Sequence, residues 1–195
     1  LVAIGMTRWV VPDPEASHFH SDAEAKPGEF KDALKNRELL RLNYGVFTLH
    51  AVLMSLWMVV PFDLRRAGLA PDHHWQVYLP VLAASVILMV PAIVYGEKAG
   101  RMKPVFAGAV AMVLAAEFML GGMGDTLTGL VAGLLVFFTG FNLLEASLPS
   151  LVSQIAPVGA KGTAIGIYSS TQFLGAFVGA AAGGFLSGHG GPAAV

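Results

Sequence analysis

The chain has 195 residues, 55% of them hydrophobic and 13% charged, with a formal net charge of −1 and no cysteine. A soluble domain carries about 25% charged residues, so this composition excludes an ordinary water-soluble fold and points to a membrane protein. Near-neutral charge excludes a global basic field for nucleic acid, and the absence of thiols excludes disulfides, thiolate metal sites and thiol chemistry.

Leu1–Val11 begins without Met and without a charged leader, so it does not read as a signal peptide. It reads as the last turns of an earlier transmembrane helix, and the chain is expected to be a piece of a longer protein. Residues 12–41 form a charged connector. Pro12–Gly28 is polar and reads as a linker. Glu29–Leu40 combines helix formers with apolar Phe30, Ala33, Leu34 and Leu40. It reads either as a short helix on the membrane surface or as a solvated run into the next span.

A bilayer core of about 30 Å needs about 20 apolar residues as helix. Five stretches meet this, over about 42–62, 75–95, 104–124, 126–148 and 162–187. Barrel strands alternate over about 10 residues, whereas these runs are longer and continuous. Backbone amides in lipid must pair within their own segment, so the runs predict helices. The fold class is therefore an all-α membrane protein. Lys and Arg are split ten to two between the two sets of connectors. The positive-inside rule places the richer set, including residues 12–41, in the cytoplasm.

Polar residues within the spans are the site candidates, because ionisable groups in lipid face a cavity or a partner. Asn43 and His50 are seven apart on one face, extended by Met54 and Trp57. Imidazole titrates near neutral pH, so His50 is either a proton carrier or a hydrogen-bonded structural histidine. Phe138, Asn142 and Glu145 follow i, i+4, i+7 spacing on the fourth span. Glu145 either faces a cavity or pairs with Arg101 or Lys161. Tyr168 and Gln172 share a face of the fifth span with Gly175. Glu117 is expected to snorkel to the interface. Asp125, in Gly122-Met123-Gly124-Asp125, would need a second aspartate for hydrolytic chemistry. His73-His74 lack further clustered ligands, so no metal and no cofactor are expected.

Two patterns carry a family resemblance. Gly96-Glu97-Lys98-Ala99-Gly100-Arg101-Met102-Lys103 joins the second and third spans. It is similar to the Gly-x-x-x-Asp-Arg-x-Gly-Arg-Lys signature between the second and third helices of each half of a major facilitator protein. Glu97, Lys98, Gly100 and Arg101 fall on its acid, base and Gly-Arg positions. Lys103 comes one residue late, and Ile93 replaces the leading Gly. Gly175, Gly179, Gly183 and Gly184 are spaced to let helices approach closely. They resemble the antiporter motif of the other half's fifth helix, with Ala180 in place of Pro. Arg41-Leu42-Asn43-Tyr44-Gly45, Phe141-Asn142-Leu143-Leu144-Glu145-Ala146, Leu148-Pro149-Ser150-Leu151 and Lys161-Gly162-Thr163-Ala164 look like the YajR-type branch, among the drug:proton antiporter-like carriers.

The resemblance covers essentially the whole chain. It implies the end of helix six, a cytoplasmic central loop at 12–41, and helices seven to eleven of a C-terminal helical bundle. It also implies that Glu97, Lys98, Gly100, Arg101 and Lys103 form a cytoplasmic latch, and that helices seven and ten line a cavity. The expected function is secondary active transport of a small molecule in the inner membrane, as proton-coupled efflux by alternating access. The expected partners are substrate, protons, lipid and the missing N-terminal half. The alternatives are a membrane-embedded enzyme, or a non-transporting sensor or scaffold on the same fold.

Overall fold

The structure is a computed structural model that describes residues 27–157, 159–191 and 194–195. The readings of Leu1–Val11 as a helix end and of Pro12–Gly28 as a linker fall on residues outside it, apart from positions 27 and 28. Among the described residues all regular structure is helical. Six α-helices follow in order: α1 (Pro27–Lys35), α2 (Arg37–Arg66), α3 (Trp75–Lys98), α4 (Met102–Met123), α5 (Leu127–Ile155) and α6 (Lys161–Gly190). A short 3-10 turn at Pro71–His73 precedes α3.

The helix expected over Glu29–Leu40 is divided at Asn36. The Asn36 side chain accepts from the backbone N–H of Glu38 (3.0 Å) and Leu39 (3.3 Å), which makes it the N-cap of α2. α1 packs against α2 and α6, with Ala33 buried and Phe30 and Leu34 exposed. α2 and α5 run further than their apolar stretches. Both continue through an internal proline, Pro61 and Pro149 respectively. Loss of one backbone donor is tolerated where neighbouring helices enclose the segment.

Four helices, α2 to α5, are long and apolar enough to cross a bilayer, so the chain is a multi-pass membrane protein. α6 has 30 residues, about 45 Å at 1.5 Å per residue, but its glycines and hydroxyl side chains set it apart from those four in composition. Leu79, Ile87, Leu114, Phe118, Phe173 and Phe177 are all more than half exposed. Such an apolar surface fits lipid, not water.

α5 is the central helix and contacts α2, α3, α4 and α6. Leu130, Leu134, Phe137 and Val152 on it are fully buried. Its Gly133 and Gly140 lie against α4, where an added Cβ would come within 2.6 Å of Leu120 Cδ2 and 2.8 Å of the Ala109 carbonyl oxygen.

α2 and α6 lie side by side and parallel. A Cβ on Gly175 would sit 2.2 Å from the Phe47 carbonyl oxygen. One on Gly179 would sit 2.1 Å from that of Ala51, and one on Gly183 2.8 Å from Ser55 Cα. These three glycines therefore allow the two backbones to touch. Gly184, expected in the same stripe, faces open space, because it lies one residue around the helix from the seam.

The α3–α4 loop is closed by a Schellman motif. The Arg101 N–H bonds the Gly96 carbonyl (2.7 Å) and the Gly100 N–H bonds that of Glu97 (3.2 Å). Gly100 has φ +63°, which a residue with a Cβ adopts only at a cost.

Candidate functional site

The side chains that meet in the bundle come from three helices. His50 lies midway along α2 and is 7% exposed. Its Nδ1 is 3.1 Å from the Val46 carbonyl oxygen, one turn earlier. A carbonyl only accepts, so Nδ1 carries a proton, and in the neutral ring Nε2 presents a lone pair. The Gln172 side-chain nitrogen on α6 lies 2.8 Å from that Nε2. It also donates to Glu145 Oε1 on α5 across 3.2 Å. An amide NH2 has two hydrogens, and here each has an acceptor. The other carboxylate oxygen, Glu145 Oε2, is 3.7 Å from His50 Nε2. It is buried without a hydrogen-bond partner among the described residues.

Of the two readings of Glu145, this arrangement does not contain the pairing with Arg101 or Lys161. The side chain points into the bundle, toward His50 and Gln172, and not toward the loop. The α2–α6 seam brings Gln172, three residues before Gly175, beside His50, three residues after Phe47.

Phe141 completes the wall of the site. Its ring lies edge-on to His50 with centroids 5.6 Å apart. Tyr168, one turn before Gln172, is buried, its hydroxyl without a hydrogen-bond partner among the described residues, and lies within electrostatic reach of Glu145. Asn43 is also buried, its Oδ1 unpartnered among the described residues.

The other candidates lie elsewhere. Asn142 does not join Glu145; its amide donates to Ser85 Oγ on α3 across 2.9 Å, and Ser85 donates onward to the Leu82 carbonyl. Phe138 packs against Trp57, whose ring is tilted against that of Tyr78. Glu97, Lys98, Gly100 and Arg101 are exposed at the loop, where Arg101 reaches the Tyr95 hydroxyl at 3.4 Å. His74 bonds the Leu69 carbonyl and His73 lies beside Asp72. Glu117 does not simply reach outward. Its Oε1 is buried and without a hydrogen-bond partner among the described residues, and the residue lines a cavity of about 640 Å³ between α2 and α4 that is also lined by Asp63 and Asp125. Asp63 is ion-paired with Arg66.

Sequence reasoning did not find Phe141, Ser85 or the Gly133–Gly140 contact. Phe141 is one aromatic in an aromatic run. Ser85 stood out only as the one hydroxyl amino acid of the serine–threonine type in the α3 sequence.

Comparison with known proteins decides the family. Residues 1–191 match the family described as Major Facilitator Superfamily. The chain belongs to that superfamily. This major facilitator chain is 40% identical over 185 residues to the inner membrane transport protein YajR of Escherichia coli (strain K12). That match covers 95% of the chain and 41% of the relative. It is 31% identical over 144 residues to an uncharacterized transporter of Buchnera aphidicola subsp. Acyrthosiphon pisum (strain APS), covering 74% of the chain and 37% of the relative. A third transporter, from Buchnera aphidicola subsp. Baizongia pistaciae (strain Bp), is 29% identical over 163 residues, covering 80% and 40%. The chain thus spans about 40% of the length of the curated relatives it matches.

Proposed function

We propose that this major facilitator chain forms most of the C-terminal half of a proton-coupled secondary transporter that exports a small molecule across the inner membrane. In this reading Leu1–Val11 ends helix six, residues 12–41 are the cytoplasmic central loop, and α2 to α6 are helices seven to eleven. The N-terminal half is the partner against which the bundle rocks. The relatives are named as transporters, which supports transport, and the Escherichia coli relative's name supports an inner-membrane setting.

The observation that carries the proton reading is the contact of buried His50 with half-buried Gln172 and Glu145. In the form with His50 neutral and Glu145 a carboxylate, the pair bears a single negative charge. A proton taken up at Nε2 gives an imidazolium beside a carboxylate 3.7 Å away, and the pair becomes neutral overall. Inside a bilayer an unbalanced charge costs several kcal/mol, so loading with a proton removes an electrostatic penalty for the arrangement. Release restores it. A change of charge of this kind couples proton occupancy to which side the bundle opens.

The test uses full-length protein in proteoliposomes with an imposed pH gradient. Substrate movement should follow the gradient, and His50→Gln should abolish that dependence while the protein stays folded. Transport indifferent to proton and ion gradients would sink the reading.

A further inference from the structure

Gln172 sits between the two ionisable groups of the site, in a hydrogen-bond chain that starts from a backbone carbonyl, which can only accept. The Val46 carbonyl assigns the proton of His50 to Nδ1. Nε2 is then an acceptor, so the Gln172 amide must present its NH2 and not its oxygen. Glu145 Oε1 accepts from the same NH2. Every role in this chain is assigned with His50 neutral and Glu145 accepting at Oε1.

Protonation of His50 breaks that consistency. Nε2–H would face the Gln172 NH2 at 2.8 Å, two donors without an acceptor between them. Turning the amide over would give His50 an acceptor but set the amide oxygen against Glu145 Oε1. The unpartnered acceptor nearby is Glu145 Oε2, and reaching it requires the amide to leave its place. The ionisable groups facing His50 are Glu145 from α5 and, beside Glu145, Tyr168 from α6. α2 itself carries no charged side chain between Arg41 and Asp63. The charged residues of α3 are Glu97 and Lys98 at its loop end, and that of α4 beyond Lys103 is Glu117 in the separate cavity.

We propose that Gln172 is a positioning residue that holds His50 as the neutral Nδ1–H tautomer and Glu145 as the carboxylate, and that proton binding displaces its amide from between them. This rests on the proton-carrying reading of His50 and gives it a device: the α6 side chain that opposes proton uptake sits on the helix whose backbone touches α2.

The test compares Gln172→Met, which keeps length but has no donor, with the parent in full-length protein reconstituted in proteoliposomes. Losing a donor to Nε2 removes support for the neutral ring. The midpoint of the pH–rate profile should move to higher pH by about one unit, the size of one hydrogen bond. In the double variant His50→Gln with Gln172→Met, the Met change should add no further shift. A midpoint that stays in place in Gln172→Met, while His50→Gln abolishes pH dependence, overturns the role of Gln172 and leaves the proton reading standing. Unchanged pH dependence in His50→Gln defeats the proton reading itself. Nitrogen NMR of ¹⁵N-histidine-labelled full-length protein decides independently of whether Gln172→Met folds. At alkaline pH His50 should show the Nδ1–H tautomer, and the Nε2–H tautomer overturns the proposal.

Discussion

Ser55 on α2 donates its hydroxyl to the Gly179 carbonyl on α6 across 2.9 Å, at the level where the two helix backbones touch. Contact this close leaves no room for a side chain. Gly179→Ala would force a methyl within 2.1 Å of the Ala51 carbonyl oxygen. Backbone on both sides must then move, at about 1–3 kcal/mol. Thermal unfolding in detergent should show a clear loss for Gly179→Ala and little change for Gly184→Ala. Equal effects at both positions would contradict the seam.

The α3–α5 hydrogen bond predicts an asymmetry. Ser85→Ala leaves the Asn142 amide with a lost acceptor in the bundle, a cost of about 1–3 kcal/mol. Asn142→Leu leaves Ser85 still bonded to the Leu82 carbonyl, so the polar part of its cost is smaller. Ser85→Ala should therefore lower the melting temperature more than Asn142→Leu. The reverse order would show that packing, and not the hydrogen bond, decides.

Gly100 holds the turn between α3 and α4 in a left-handed conformation. An alanine there costs about 1 kcal/mol or somewhat more, whereas asparagine tolerates this region better. Stability should fall in the order Gly, Asn, Ala at this position. A variant with Ala as stable as the parent would mean that the loop adopts another path.

Sidedness is open to direct measurement because the chain has no cysteine of its own. Single replacements Ala99→Cys and Ala67→Cys lie at opposite ends of α3 and its preceding loop. In right-side-out vesicles a membrane-impermeant maleimide should label position 67 and spare position 99 until the membrane is opened. Labelling in the opposite pattern would invert the orientation drawn from Lys and Arg.

Glu145 separates charge from shape. Glu145→Gln keeps the acceptor for Gln172 but removes the charge that balances a protonated His50. The pH-dependent component of transport should drop severely, with protein yield and melting temperature close to the parent. Normal pH-driven transport with poor folding would instead assign Glu145 a structural role.

The amino-acid sequence alone determined the all-helical fold class and the family, because those depend on local quantities: the length of apolar runs, where charge interrupts them, and short loop patterns. It also marked His50, Glu145 and Gln172 as polar groups in oily surroundings. What it did not determine was which of them meet. His50 and Gln172 are 122 residues apart, and their contact follows from three small residues that bring α2 and α6 together. Asn142 and Glu145 share a helix face in the sequence, yet the central position of α5 sends one to α3 and the other to α2 and α6. Such contacts are set by how whole helices pack, and that packing is a property of the assembled bundle and not of any one segment.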